Sequence, residues 1–134
     1  MVSPTTKKPY DLEERTFLFA QRVRCFLRAI PRTLANLEDG KQLIRSSGSI
    51  GANYIEANES LGDKDCLFHI RISRKEAKET RYWLRLLDLS GQVELETERQ
   101  ALVQEADELP PNLRGHPSQT VFLSALLSDF GFVF

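Results

Sequence analysis

Apolar residues recur along this chain at alternating steps of three and four, the spacing of helices with one buried face. No stretch of useful length shows the alternation of a strand. Asp11 opens the first helical segment as an N-cap, with Glu14 three residues later completing a capping-box pattern. Leu12, Phe19, Val23, Phe26 and Ile30 form its stripe, and Pro31 ends it. Phe17, Leu18, Cys25 and Leu27 widen the apolar surface, as suits a helix that touches two neighbours. A second helix starts between residues 36 and 40 and runs to about residue 59, with the seam Leu43, Ser47, Ile50, Tyr54, Ala57 and Leu61. Beside it runs Ile44, Gly48, Gly51 and Ile55. An interior glycine costs a helix about 1 kcal/mol relative to alanine, so this pair implies close approach of another helix.

Gly62 suits a helix C′ position and Asp63 an N-cap. A third helix then spans about residues 64 to 89, its stripe being Cys66, Ile70, Ser73, Ala77, Thr80, Leu84 and Leu87. The small residues in the middle of that stripe fit against the glycine strip. Ser90-Gly91 closes it, and a fourth helix over about residues 94 to 109 carries Leu95, Leu102, Ala106 and Leu109 before Pro110-Pro111 stops it. Short connections make consecutive helices antiparallel, so the pattern predicts an all-α, up-down four-helix bundle with a shortened fourth helix. Residues 1–109 read as the bundle domain. Residues 110–134 read as an atypical apolar tail with Phe122, Phe130, Phe132 and Phe134. The tail is either an appendage docking on the bundle or a neighbouring subunit, or a frameshifted end.

Composition narrows the function. The chain has 134 residues, 41% hydrophobic and 28% charged, an ordinary globular balance for one domain. Eighteen Lys+Arg against nineteen Asp+Glu give a formal charge of -1, so bulk charge makes no case for nucleic acid or membrane, while local patches stay open. Two cysteines are too few for a disulfide framework and lack zinc-ligand spacing. Both sit on apolar helical surface, which reads as buried, inert thiol. No signal segment opens the chain, and its longest apolar stretch, residues 120–134, is shorter than the roughly 18–20 residues a membrane span needs. A cytoplasmic protein without a membrane partner is the expectation.

Charge patterning is more specific. Arg71, Arg74, Lys78, Arg81 and Arg85 stack along one face of the third helix at steps of three and four. A row of that kind suits phosphate recognition, because counterion release scales with the cations that reach a backbone. The other reading is internal compensation by the acidic fourth helix, with Glu94, Glu96, Glu98, Glu105, Asp107 and Glu108 against Arg99. Tyr82 and Trp83, beside Arg81 and Arg85, suit either base stacking or, for Trp83, a subunit interface. Arg45, Asn53, Glu56, Glu76 and Glu79 are read as a polar layer that fixes helix register. A di-iron centre would need a histidine three residues after a glutamate on two helices; none follows Glu56, Glu59, Glu76 or Glu79 at that spacing. Ser46, Ser47 and Ser49 have no histidine near in sequence, and Gly48-Ser49-Ile50-Gly51 lacks the Lys-Ser/Thr ending of a phosphate loop. The residues therefore give no catalytic, metal or cofactor assignment. Gly48, Gly51, Tyr54 and Trp83 are assigned to packing or subunit contact.

Two runs, QLIRSSGSIGANYIEANES at 42–60 and RKEAKETRYWL at 74–84, resemble the signature of a bacterial family called four-helix bundle protein, or 23S rRNA intervening-sequence protein. The similarity covers roughly residues 10 to 109. It implies a small bundle that assembles as a homopentameric ring with a central channel. A related branch, the accessory protein of diversity-generating retroelements, binds a reverse transcriptase and nucleic acid and is strongly basic, unlike this chain. Family members usually continue the fourth helix past the position of Leu109; here Pro110-Pro111 intervenes. The expected function is a non-enzymatic, self-associating scaffold or accessory protein that meets RNA, DNA or a nucleic-acid enzyme through the third helix. The alternative is a structural homo-oligomer with no nucleic-acid partner, with a metal-dependent enzyme as a remote third.

Overall fold

The computed structural model describes residues 11–109, which form four helices: α1 (Leu12–Ala29), α2 (Leu34–Asn58), α3 (Asp63–Leu86) and α4 (Val93–Glu108). The tail from Pro110 onward lies outside the described residues. Each helix packs on its two neighbours around a ring, α2 against α3 most extensively and α1 against α4 least, and the diagonal pairs do not meet. Antiparallel register is visible in single contacts. Arg15 meets Glu105 while Arg22, seven residues on, meets Glu98, seven residues back. The architecture is the all-α four-helix bundle that the periodicity predicts.

Local chemistry explains most element ends. Asp11 caps α1, its Oδ1 accepting from the Glu14 N–H at 3.4 Å. The backbone turns extended at Ile30, ahead of Pro31. Thr33 caps α2 through its hydroxyl and the Asn36 N–H, so α2 begins before the interval expected from sequence. Gly62, not Asp63, is the N-cap of α3; Asp63 and Asp65 instead place negative charge in its first turn, where the helix dipole favours it. Ser90 and Gly91 both take left-handed backbone, φ 54° and 69°, and reverse the chain into α4.

The predicted stripes form the core. Phe19, Val23 and Phe26 of α1 and Ile30 just after it pack with Leu43 and Ile50 of α2, Ala77 and Leu84 of α3, and Leu102, Ala106 and Leu109. Full burial contributes roughly 1.5–3 kcal/mol for each large aliphatic side chain. A smaller cluster of Leu12, Tyr54, Ala57 and Ile70, with Cys66 against it, closes one end. Tyr54 is thus a buried core residue, and burial pushes its phenol and the Cys66 thiol up from their ordinary pKa values.

Three placements differ from the sequence reading. The glycine strip faces α1, not α3: Gly51 lies directly against Thr16, and Gly48 lies near Arg24. The small residues of α3 instead meet α2 through hydroxyls, with Ser73 donating to Ile50 O at 2.9 Å and Thr80 Oγ1 lying 2.9 Å from Ser46 Oγ. Leu61 is fully exposed, because α2 has already ended. Cys25 is also exposed, since α1 turns Phe26 and not Cys25 into the core.

Candidate nucleic-acid interface

Four of the five row cations, Arg74, Lys78, Arg81 and Arg85, line one groove between α3 and α4, with a volume of about 520 Å³. Ala77 forms part of the α3 wall, Ala106 and Asp107 supply the α4 side, and Tyr82 stands among the cations. Arg81 and Arg85 continue into an adjoining hollow of about 260 Å³ that also holds Arg99, Gln100 and Val103. Arg71, half-buried and one turn before Arg74, is not part of the groove lining.

The fourth helix does not neutralise this row. Arg15 on α1 takes Glu105 bidentately at 2.8 Å and reaches Glu108 at 2.9 Å. Arg22 holds Glu98 in the same forked geometry at 2.7 and 2.9 Å. These hydrogen bonds raise the Arg15 and Arg22 pKa values, with Coulomb attraction adding to them. The Glu108 carboxyl lies below its ordinary pKa, chiefly through the Gln104 amide and then through Arg15. Glu98, Glu105 and Glu108 thus share the α4 face turned to α1. Across the groove the one ion pair among the described residues is Arg81 with Asp107, and at 3.9 Å it is long. Arg74, Lys78 and Arg85 have no carboxylate within ion-pair distance among those residues.

Two groups at this site escaped the sequence reading. Arg99 reads there as a lone base on an acidic helix, yet its Nη1 donates to the carbonyls of Leu84, Arg85 and Leu87. It therefore caps the C-terminus of α3, where unpaired carbonyls and the dipole favour a cation. Asp107 reads as one acid of six; its position at the groove wall comes from tertiary packing. Tyr82 is 55% exposed and makes a T-shaped ring contact with Trp83 at a centroid distance of 5.1 Å. Trp83 is half-buried against the main core, and its Nε1 is buried without a hydrogen-bond partner among the described residues.

A family model described as 23S rRNA-intervening sequence protein matches residues 10–115. The chain belongs to that family. A crystal structure at 1.70 Å of a protein of unknown function from the S23 ribosomal protein family, from Bacteroides thetaiotaomicron, is 28% identical. The similarity covers 74% of this chain and 91% of that one, with a TM-score of 0.60. No functionally curated protein matches the chain. In this family member the two signature runs fall on α2 and α3, the pair with the largest shared interface.

The polar layer between those helices is narrower than the spacing suggests. Arg45 lies 3.1 Å from Glu79 and 3.7 Å from Glu76, whose side chain is buried and whose Oε1 has no hydrogen-bond partner among the described residues. Asn53 is elsewhere, donating to Ser49 O at 2.9 Å with its Oδ1 3.2 Å from His69 Nδ1. Glu56 is exposed and joins neither group. Among the described residues no three His, Cys, Asp or Glu side chains are placed to hold a metal ion, and no helix is long and apolar enough to cross a membrane.

Proposed function

We propose that the chain is a non-catalytic, self-associating scaffold that presents the α3–α4 groove to nucleic acid. The observation that carries this reading is the uncompensated row: Arg74, Lys78 and Arg85 share a groove while Glu98, Glu105 and Glu108 of α4 pair with α1. Counterion release from phosphates would then drive binding. Self-association is supported by apolar surface that the bundle leaves outside. Phe17, Ile55, Ala20, Ala52 and the two glycines line a hollow of about 300 Å³ between α1 and α2. A second copy is the occupant proposed for it, with five chains per assembly as the family resemblance implies.

Binding of labelled RNA to the full chain, followed by anisotropy from 50 mM to 300 mM salt, tests the first claim. Affinity should fall steeply with salt, and Arg74→Glu/Arg81→Glu should abolish it. No binding at low salt to single strands or duplex would remove the nucleic-acid role and leave the structural oligomer. Solution mass by light scattering tests the second: wild type should be oligomeric and Ile55→Lys smaller. A monomeric wild type would overturn self-association.

A further inference from the structure

We infer that the groove takes a single strand of nucleic acid, RNA or DNA, and that Tyr82 stacks on one of its unpaired bases. The inference rests on the nucleic-acid reading above and adds the substrate class and the residue that selects it. Three observations lead to it.

The first is the position of Tyr82. An aromatic ring more than half exposed, in a groove where four cations also stand, contributes little to the fold. Its neighbour Trp83 packs on the core and meets the Tyr82 ring in a T-shaped contact, which takes at most one Tyr82 face and leaves the other for a partner. Cations that track a backbone beside an aromatic platform are the two parts of a single-strand site.

The second is steric. Arg74 and Arg85 stand eleven residues apart on α3, roughly 16 Å of helix. That stretch is flanked by α2 on one side and α4 on the other. Packed helices lie about 8–10 Å apart and each is about 10 Å across, so α3 with one neighbour is about 20 Å wide. The major groove of B-DNA is about 12 Å wide. The row reaches a duplex only with part of α2 or α4 alongside it, which favours a flexible strand over a rigid duplex. A duplex also keeps its bases stacked on each other and offers none to Tyr82.

The third is the size and charge of the groove. Its volume of about 520 Å³ lies within the range of small-ligand clefts, which leaves room for a nucleotide beside the ring. Asp107 is the acid among the described residues of its lining, 3.9 Å from Arg81, and opposes an incoming phosphate.

The test is anisotropy of the full-length protein with three labelled probes: a 12-nucleotide oligo-U RNA, a 12-nucleotide oligo-dT, and a 12-base-pair duplex. Both single strands should bind at least about tenfold more tightly than the duplex. Tyr82→Ala should weaken single-strand binding by about fivefold to a hundredfold, and Tyr82→Phe should not. The salt slope separates stacking from charge, because it reports phosphates neutralised. Tyr82→Ala should keep the wild-type slope, and the single neutralisation Lys78→Gln should flatten it by about one phosphate's worth. Asp107→Asn should tighten binding several-fold. Circular dichroism of Tyr82→Ala, matched to wild type, rules out loss of fold as the cause.

Duplex binding as tight as single-strand binding overturns the inference, as does a folded Tyr82→Ala that binds like wild type. If charge reversal still abolishes binding in either case, the broader nucleic-acid reading survives. If the wild type binds no probe, both fall together.

Discussion

Gly48 and Gly51 look equivalent in the sequence, three residues apart on one helix, yet only one of them is required by packing. A Cβ on Gly51 would lie 2.6 Å from Thr16 Oγ1 and 3.0 Å from Thr16 Cβ. Thr16 has little freedom to retreat: it is buried, and its hydroxyl lies 2.7 Å from Leu12 O and 2.9 Å from Glu13 O. A Cβ on Gly48 would meet the end of the Arg24 side chain at 3.8 Å and nothing closer. Gly51→Ala should therefore destabilise the fold by about 1–3 kcal/mol through overpacking. Gly48→Ala should stabilise it by up to about 1 kcal/mol through helix propensity. Urea denaturation of both variants checks the pair; shifts of the same sign would contradict this account of the α1–α2 contact. The sequence discloses that two glycines sit on one helical face. It does not disclose which partner approaches them, because that depends on how α1 is rotated about its own axis.

Between elements, one side chain ties two turns together. Asn36 Nδ2 donates to Pro31 O at 2.9 Å and to Asp88 O at 2.8 Å, while its Oδ1 accepts from the Asp88 N–H at 2.9 Å. The α1–α2 and α3–α4 connections are thereby locked at the same end of the bundle. Asn36→Ala removes every one of these bonds and leaves backbone groups without their partner, at about 1–3 kcal/mol for each group that stays buried. The midpoint of urea unfolding should drop clearly. Asn36→Asp keeps the acceptor and loses both donors, so it should also be destabilised. A midpoint for Asn36→Ala close to wild type would show that the link is not structural. This residue also shows where element ends were legible and where they were not. Asp11 and Pro31 act through neighbours in sequence, and the ends of α1 follow from them. Asn36 resembles a cap by composition but serves a contact 52 residues away, so the start of α2 reads too late. At the other end of α3, Leu87 and Leu89 are buried although the helix stops at Leu86. They plug the bundle from non-helical backbone, and a continuing apolar pattern makes α3 read three residues too long.

At the scale of the whole molecule, a net charge of -1 conceals an arrangement. Seven cations and four carboxylates lie within α3, against one cation and six carboxylates within α4. The sequence makes that segregation plain and suggests that the two helices neutralise each other. The fold directs Glu98, Glu105 and Glu108 to α1 instead, because the face carrying them is rotated away from α3. Rotation of α4 is set by the modest stripe of Leu102, Ala106 and Leu109, which spacing alone does not orient. One consequence concerns stability. The α1–α4 contact is the thinnest in the bundle, so the Arg15 and Arg22 forks contribute much of what holds α4 to α1. Partly exposed ion pairs are individually modest and are screened by salt, whose Debye length falls from roughly 10 Å at 0.1 M to 3 Å at 1 M. Hydrogen exchange in α4 should therefore accelerate between 0.1 M and 1 M salt while α2 and α3 hold their protection. Acid should likewise lower the protection of α4 relative to the intrinsic exchange rate at each pH. The Glu108 carboxyl is depressed in the fold, so its contribution is complete above the ordinary carboxylate pKa and disappears as pH falls through the lower folded value. Arg15→Ala/Arg22→Ala should make α4 exchange fast at low salt and remove most of its salt response. If α4 in the wild type stays as protected as α3 at both salts, its apolar stripe alone holds it, and the ion pairs to α1 serve only to keep its acids away from the groove.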